Sequence, residues 1–255
     1  EALLEGLGSS TPMRHMLSGD VGSGKTAVFG SAAAAVAFAG GRVAIMAPMG
    51  VLAEQILANI EQWWPEISTA LVTGDADNTE QAAKASIVVG SQALLHREIG
   101  QFDLVIVDEQ QRFSREQREK LCVTGQEHLI EATATCIPRT MALLKFGEWQ
   151  VSRLRSKHVK KDIKTELIEN TGDSGTSAKK DMLNRIRQTL DAGREVLVIY
   201  SLREQSNPDD QKAIPVVDAA RKFEKLFPGQ VAMVHGRMTE QEKRFALDQV
   251  RQRHK

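Results

Sequence analysis

Gly19-Asp20-Val21-Gly22-Ser23-Gly24-Lys25-Thr26 lies between a short apolar run, Arg14 to Leu17, and an Ala-rich stretch, Thr26 to Ala39. The spacing is Gly, four residues, then Gly-Lys-Thr, and it predicts a strand that turns sharply through glycines into a helix. Such a turn aims backbone N–H groups at an anion, and the helix N-terminus adds its partial positive charge. Lys25 can bridge terminal phosphates, and the Thr26 hydroxyl can meet a magnesium ion. A plain glycine turn before a helix is the bland alternative, and the strand-loop-helix context argues against it. Gly19 to Thr26 are therefore the candidate nucleotide-binding residues, for a phosphate chain with Mg2+ beside it.

Up to about Ala132 the chain alternates apolar runs with amphipathic or Ala-rich stretches, as parallel strands joined by crossover helices do. Strands are expected at Arg14 to Leu17, Val43 to Ala47, Ala70 to Thr73, Ile87 to Val89, Leu104 to Val107 and Leu129 to Ala132. Helices are expected at Thr26 to Ala39, Val51 to Trp64, Thr79 to Ala85, Ser114 to Leu121 and Arg139 to Phe146. The fold class is α/β, a doubly wound parallel sheet of the P-loop NTPase kind, whose ligands gather at the carboxyl ends of the strands.

With 33 Lys+Arg against 33 Asp+Glu, bulk charge offers no argument for a polyanion partner, so any such partner needs a local patch. Two isolated cysteines, Cys122 and Cys136, fit neither a disulfide framework nor a paired zinc site, and a reducing cytoplasm is the expected compartment. The longest uncharged stretch, Ala27 to Gly41, is shorter than a membrane-spanning helix and reads as a buried one. Arg153, Arg155, Lys157, Lys160, Lys161 and Lys164 then place six cations in twelve residues, ahead of a Gly/Ser/Thr-rich break at 171–177. The run reads as a solvated linker at a domain junction, with contact to nucleic-acid phosphates as the alternative. A second α/β pattern follows: helices near Ala178 to Ala192, Val216 to Phe227 and from Thr239, with strands at Val196 to Tyr200 and Val231 to Val234. Two strands make an incomplete sheet, and the chain, opening on Glu1, reads as a piece of a longer one.

Two further segments carry chemistry. Leu104 to Val107 runs into Asp108-Glu109-Gln110-Gln111; an Asp at a strand end can hold magnesium, and the next Glu can orient the attacking water. A solvated turn is the ordinary reading of such a pair, but its place downstream of a phosphate loop favours chemistry. Ala132-Thr133-Ala134-Thr135-Cys136-Ile137-Pro138-Arg139-Thr140 reads equally as a capped, Pro-initiated helix start and as hydroxyls that relay the state of a nucleotide. Trp63-Trp64 read as packing rather than as a base-stacking platform.

In this order the motifs resemble a superfamily 2 helicase motor, most of all the RecG family of ATP-dependent DNA branch-migration helicases, with transcription-repair coupling factors as close relatives. The matching segments are Gly19 to Thr26, MAPMGVLAEQ from Met46, VGSQALL from Val89, DEQQRF from Asp108, Thr133 to Thr140, and His235-Gly236-Arg237-Met238. The resemblance implies a first RecA-like domain at 1–155, a basic and Gly/Ser-rich linker at 156–177, and a partial second RecA-like domain at 178–255. It implies Lys25, Asp108 and Glu109 as catalytic residues, with Thr26 and Asp108 on the metal. Gln110, Gln111, Thr133, Thr135, Arg139 and His235 would couple hydrolysis to movement. Pro48, Met49, Gly90, Ser91 and Gln92 would face DNA.

The implied substrate is branched DNA, forks and Holliday junctions, in repair and recombination, acted on by a monomer away from any membrane. Met49 and Gly50 stand where the family has Thr and Glu, Ser91-Gln92 where it has Thr-His, Gln111 where it has His, and Cys136 where it has Pro. The family's arginine-bearing motif VI lies beyond Lys255, so the chain as given is expected to bind ATP better than it hydrolyses it. The rivals are an ATP-binding regulatory or scaffold protein with degenerate coupling, and a small-molecule kinase, which the order of the later motifs argues against.

Overall fold

The structure, a computed structural model, describes residues 2–74, 78–114, 116–117, 120–134, 149–155, 163–167, 172–200 and 215–252. The chain divides into two compact units, 1–160 and 161–255.

The first unit is built on a seven-stranded sheet in the order β3-β4-β2-β5-β6-β1-β7. Its strands are β1 Arg14–Gly19, β2 Val43–Met46, β3 Thr69–Val72, β4 Ile87–Gly90, β5 Leu104–Asp108, β6 His128–Thr133 and β7 Gln150–Leu154. Every pairing is parallel. Strands of such a sheet are covered on both faces, which is why β2 and β4 are buried at every position and read as unbroken apolar runs.

Side chains alternate between two cores. On one face Leu17, Ile45, Ile106 and Ile130 meet Phe29 and Ala33 of α2 (Lys25–Phe38) and Ile56 and Ile60 of α3 (Gly50–Trp63). On the other, Ala44, Met46, Val105 and Val107 meet Leu94, Phe102 and Phe113. The alanines of α2 let it lie close on the sheet, and Trp64 packs over Gly30, where an added methyl group would meet its ring at 3.4 Å. Trp64 packs against the core and stands edge-on to Trp63 at 5.5 Å, while Trp63 is 40% exposed.

Two short elements complete the described part of this unit. The helix α1 (Ala2–Leu7) buries Leu3 and packs on α2, and α4 (Thr79–Lys84) buries Ala82 beside β3. Arg42 ties the amino edge of the sheet together. Its backbone N–H donates to Asp103 Oδ2 at 2.7 Å, and its guanidinium donates to the carbonyls of Ala82 (2.8 Å), Gln101 (3.1 Å) and Ala85 (3.3 Å) while lying over the Phe102 ring.

Several expectations change. Residues 150–154, inside the expected first domain but with no strand predicted for them, form the edge strand β7, paired with β1 from His15↔Gln150 to Gly19↔Leu154. None of its residues is buried, so its sequence carries a weak apolar signal. Of the helix expected at 114–121, Glu116 and Gln117 are described as helical. Ser114 and Gln117 cap it reciprocally, Ser114 N–H to Gln117 Oε1 at 2.9 Å and Gln117 N–H to Ser114 Oγ at 3.2 Å. The helix expected at 139–146 lies outside the described residues.

In the second unit the helices are α5 (Gly172–Asp191), α6 (Val216–Leu226) and α7 (Glu240–Gln252). The first begins inside the Gly/Ser/Thr-rich stretch read as a break. Thr239 and Glu242 close a capping box at the start of α7, at 2.7 and 3.2 Å. The segments 196–200 and 231–234, expected as strands, carry no strand ladder in the structure. Leu197 and Ile199 are 85% and 81% exposed.

Candidate nucleotide site at the carboxyl edge of the sheet

Because all seven strands run the same way, their carboxyl ends share one edge, and register fixes which motifs meet there. Asp108 stands opposite Ala132 on β6, Ser18 opposite Thr133, and Gly19 opposite Leu154. Phosphate loop, acidic strand end and Thr133 thus lie in one row across β5, β6 and β1.

The loop is shaped for an anion. Gly22 and Gly24 take positive φ, +79° and +85°, a backbone only glycine adopts without strain. A methyl group on Gly19 would collide with the Ser23 hydroxyl, so the first glycine is required by close approach. Gly24 is the N-cap of α2, and no side chain caps the helix, leaving its first N–H groups for a ligand. The Ser23 hydroxyl is buried without a hydrogen-bond partner. Lys25, 9% exposed, donates to the carbonyls of Gly19 (2.7 Å) and Asp20 (3.1 Å), so two of its three donors hold the loop's own backbone. Uncapped helix, orphaned hydroxyl and buried ammonium together fit a bound phosphate chain.

At the end of β5, burial and then the charge of Glu109 push the Asp108 carboxyl up to about 6, against the opposing effects of the Glu109 N–H and Lys25. A divalent cation would relieve this crowding of negative charge, and Asp108 with the Thr26 hydroxyl supplies the oxygen donors that magnesium takes beside phosphates. No cluster of three or more His, Cys, Asp or Glu is present among the described residues.

Glu109 is the one non-glycine residue with positive φ among the described residues, +52°, a conformation costing roughly 1–3 kcal/mol. Two contacts hold it. Its N–H donates to Asp108 Oδ1 at 3.0 Å, and its carboxylate accepts a 2.5 Å hydrogen bond from Gln111 Nε2. Gln111 Oε1 in turn accepts from the Thr133 hydroxyl at 3.0 Å. A relay therefore runs from Glu109 through one amide to the buried end of β6. Gln110 is buried beneath it, and Thr135 and Arg139 lie outside the described residues. His235 belongs to the other unit, in the turn before α7, where its carbonyl accepts from Met238 N–H.

The candidate DNA-facing residues sit farther along the same edge, after β2 and β4. Met49 is 44% exposed at the start of α3, Pro48 is half-buried and Gln92 is exposed. Gly90 has a structural duty as well: a methyl group there would strike the Val72 carbonyl, which receives Ser91 N–H at 3.1 Å. The Ser91 hydroxyl accepts a long bond from Ala93 N–H, so it caps the 3-10 turn Gln92–His96. The reading of residues along one strand found each motif, but it missed the Gln111 bridge and the arrival of Arg153 and Arg155 beside Gly19, because both depend on strand order.

Known proteins resemble this chain along nearly its whole length. RecG of Synechocystis, named an ATP-dependent DNA helicase, is 32% identical over 266 residues, covering 98% of this chain and 31% of its own length. The Bacillus subtilis protein of the same name is 36% identical over 254 residues, covering 91% and 35%. A solved structure of RecG bound to a three-way DNA junction superposes with a TM-score of 0.65 at 24% identity, over 96% of this chain and 33% of that one, a likeness of fold. The chain thus spans about a third of the length of these relatives. The family model of DEAD/DEAH box helicases matches residues 5–143, more than half of the sequence. This chain belongs to the DEAD/DEAH box helicase family.

Proposed function

We propose that this chain is the nucleotide-binding part of a RecG-like, ATP-dependent DNA helicase that acts on branched DNA in repair and recombination. The observation that carries the reading is the row across β5, β6 and β1: phosphate loop, Asp108-Glu109 and Thr133 in register, with Gln111 joining the last two motifs.

In this reading the Gly19–Thr26 loop wraps the phosphates and Lys25 exchanges its bonds with the Gly19 and Asp20 carbonyls for phosphate oxygens. Asp108 and Thr26 hold Mg2+, which supplies charge neutralisation at the transferring phosphate. Glu109, fixed by its backbone and by Gln111, orients the attacking water, and Gln111 passes the state of that carboxylate to Thr133. Arg139, Thr135 and, from the second lobe, His235 extend the coupling. Residues 178–255 belong to a second RecA-like lobe joined by the 156–177 segment. Pro48, Met49, Gly90, Ser91 and Gln92 face the nucleic-acid backbone, Gly90 through its main chain. A reducing cytoplasm suits a half-buried, unbridged Cys122.

One observation favours a second reading, an ATP-binding switch without movement. The Gln111 amide occupies the carboxylate that has to orient water, so turnover can be held low until the contact opens. ATP hydrolysis by the full-length protein separates the two, measured with and without forked DNA and with Lys25→Ala as control. Several-fold stimulation by the fork, silent in the control, supports the motor; nucleotide binding with turnover unmoved by DNA supports the switch.

A further inference from the structure

We infer that Arg153 and Arg155 form a subsite for the nucleoside-proximal phosphate of the nucleotide held by the Gly19–Thr26 loop, a role that rests on the phosphate-loop reading above. The sheet order carries the argument. Asp108 and Glu109, the groups that act on the terminal phosphate, lie at the end of β5, two strands to one side of β1. The Gly19–Thr26 loop leaves the end of β1, so a phosphate chain lying over that loop with its terminal phosphate on the β5 side points its nucleoside end toward the opposite side of β1. The neighbour there is β7, whose Leu154 pairs with Gly19.

A cleft of about 300 Å3 opens at that place, lined by Ser18, Gly19, Asp20, Ala134, Arg153 and Arg155 together with Leu154. This is the small end of the range for ligand sites, suited to part of a nucleotide and too small for a duplex. Arg153 lies on β7 and Arg155 is the first residue past its end, and both line the cleft. Both are exposed, and neither has a hydrogen-bond or ion-pair partner among the described residues. Asp20 is the one acidic residue in the lining, against two guanidinium groups that stay charged at every accessible pH. Fixed, planar donors of this kind suit bidentate capture of a phosphate. The candidate DNA-facing residues after β2 and β4 lie beyond β5 on the opposite side of the nucleotide row, so a strand lying on them would have to cross the nucleotide to reach this cleft.

The test is calorimetric titration of the whole chain with ADP and with a non-hydrolysable ATP analogue, comparing wild type, R153A/R155A, R153K/R155K and Lys25→Ala, with a labelled DNA fork titrated in parallel. The expected result is a loss of affinity of about tenfold or more in R153A/R155A, equal for ADP and the analogue, since both carry the same inner phosphate. The lysine pair should recover part of it. Unchanged affinity for both nucleotides overturns the subsite, as does a loss confined to the ATP analogue, which would place the arginines at the terminal phosphate. Lost fork binding with intact nucleotide affinity overturns it in favour of nucleic acid. The single variants R153A and R155A, at exposed positions, stand in if the double variant fails to fold. A wild-type chain that binds neither nucleotide overturns the phosphate-loop reading itself, a result distinct from failure of the arginine variants alone.

Discussion

Gln111 shows how one side chain can tie two motifs into one device. Its amide donates to the Glu109 carboxylate and accepts from Thr133, so it orients a residue whose backbone is already strained at φ +52°. A hydrogen bond to a charged group contributes about 1.5–3 kcal/mol. Gln111→Ala should therefore cut ATP turnover by roughly ten- to a hundredfold, while the melting temperature of this exposed position moves little. Gln111→His keeps a donor for Glu109 and should restore most of the rate. Equal turnover in Gln111→Ala and wild type, measured at saturating ATP, would mean that the amide does not position Glu109. The sequence placed Gln111 beside the acidic pair, but whether its amide turns to Glu109, to Thr133 or to solvent is set by β6 lying next to β5.

At the scale of elements, two ties hold strands that local propensity alone would leave loose. Arg42 serves three carbonyls and the Asp103 carboxylate serves its backbone, so Arg42→Ala strands several acceptors at the amino edge of β2, β4 and β5. A loss of about 2–4 kcal/mol is expected, lowering the melting temperature by several degrees in a thermal scan, and Arg42→Lys should recover only part because it lacks the planar fork. His15, 1% exposed, bonds to Ser152 Oγ at 3.0 Å and so links β1 to β7. Burial pushes its imidazole below the ordinary 6.5. Above that pH the ring is neutral in both folded and unfolded chains and adds no slope. Below it the unfolded chain takes up a proton that the folded one refuses, so stability falls as pH falls, by at most about 1.4 kcal/mol per pH unit. In His15→Gln this contribution disappears. The variant's deficit in unfolding free energy, measured by urea at pH 7 and pH 5.5, should shrink at the lower pH, and a deficit constant across the two would contradict the assignment.

The whole chain has equal numbers of acidic and basic side chains, so the proposed attraction to DNA would have to come from a few local contacts. If about three phosphates are neutralised, the logarithm of apparent DNA affinity should fall with the logarithm of salt with a slope of roughly −2 to −3, measured by anisotropy with a labelled fork. A slope near zero would remove DNA as a charge-driven partner. Much of the first unit was already legible in chain order. The buried strands β2, β4 and β5 announce themselves as apolar runs, and the Gly19–Thr26 loop and Asp108 are local signals whose chemistry depends on neighbours in sequence. The edge strand β7 was not legible, because none of its residues is buried and Arg153 interrupts its short apolar run, whereas the other edge strand, β3, buries alternate residues. Nor were the apolar runs at 196–200 and 231–234 a guide to structure, since an apolar run becomes a strand only through pairing that the run itself does not encode. What residues can do was set by their types and spacing along the chain. Which of them act together was decided by tertiary structure, for the contacts that matter here, such as His15 with Ser152 across 137 positions, are cross-strand bonds, and strand order is a property of the packed sheet rather than of any one segment.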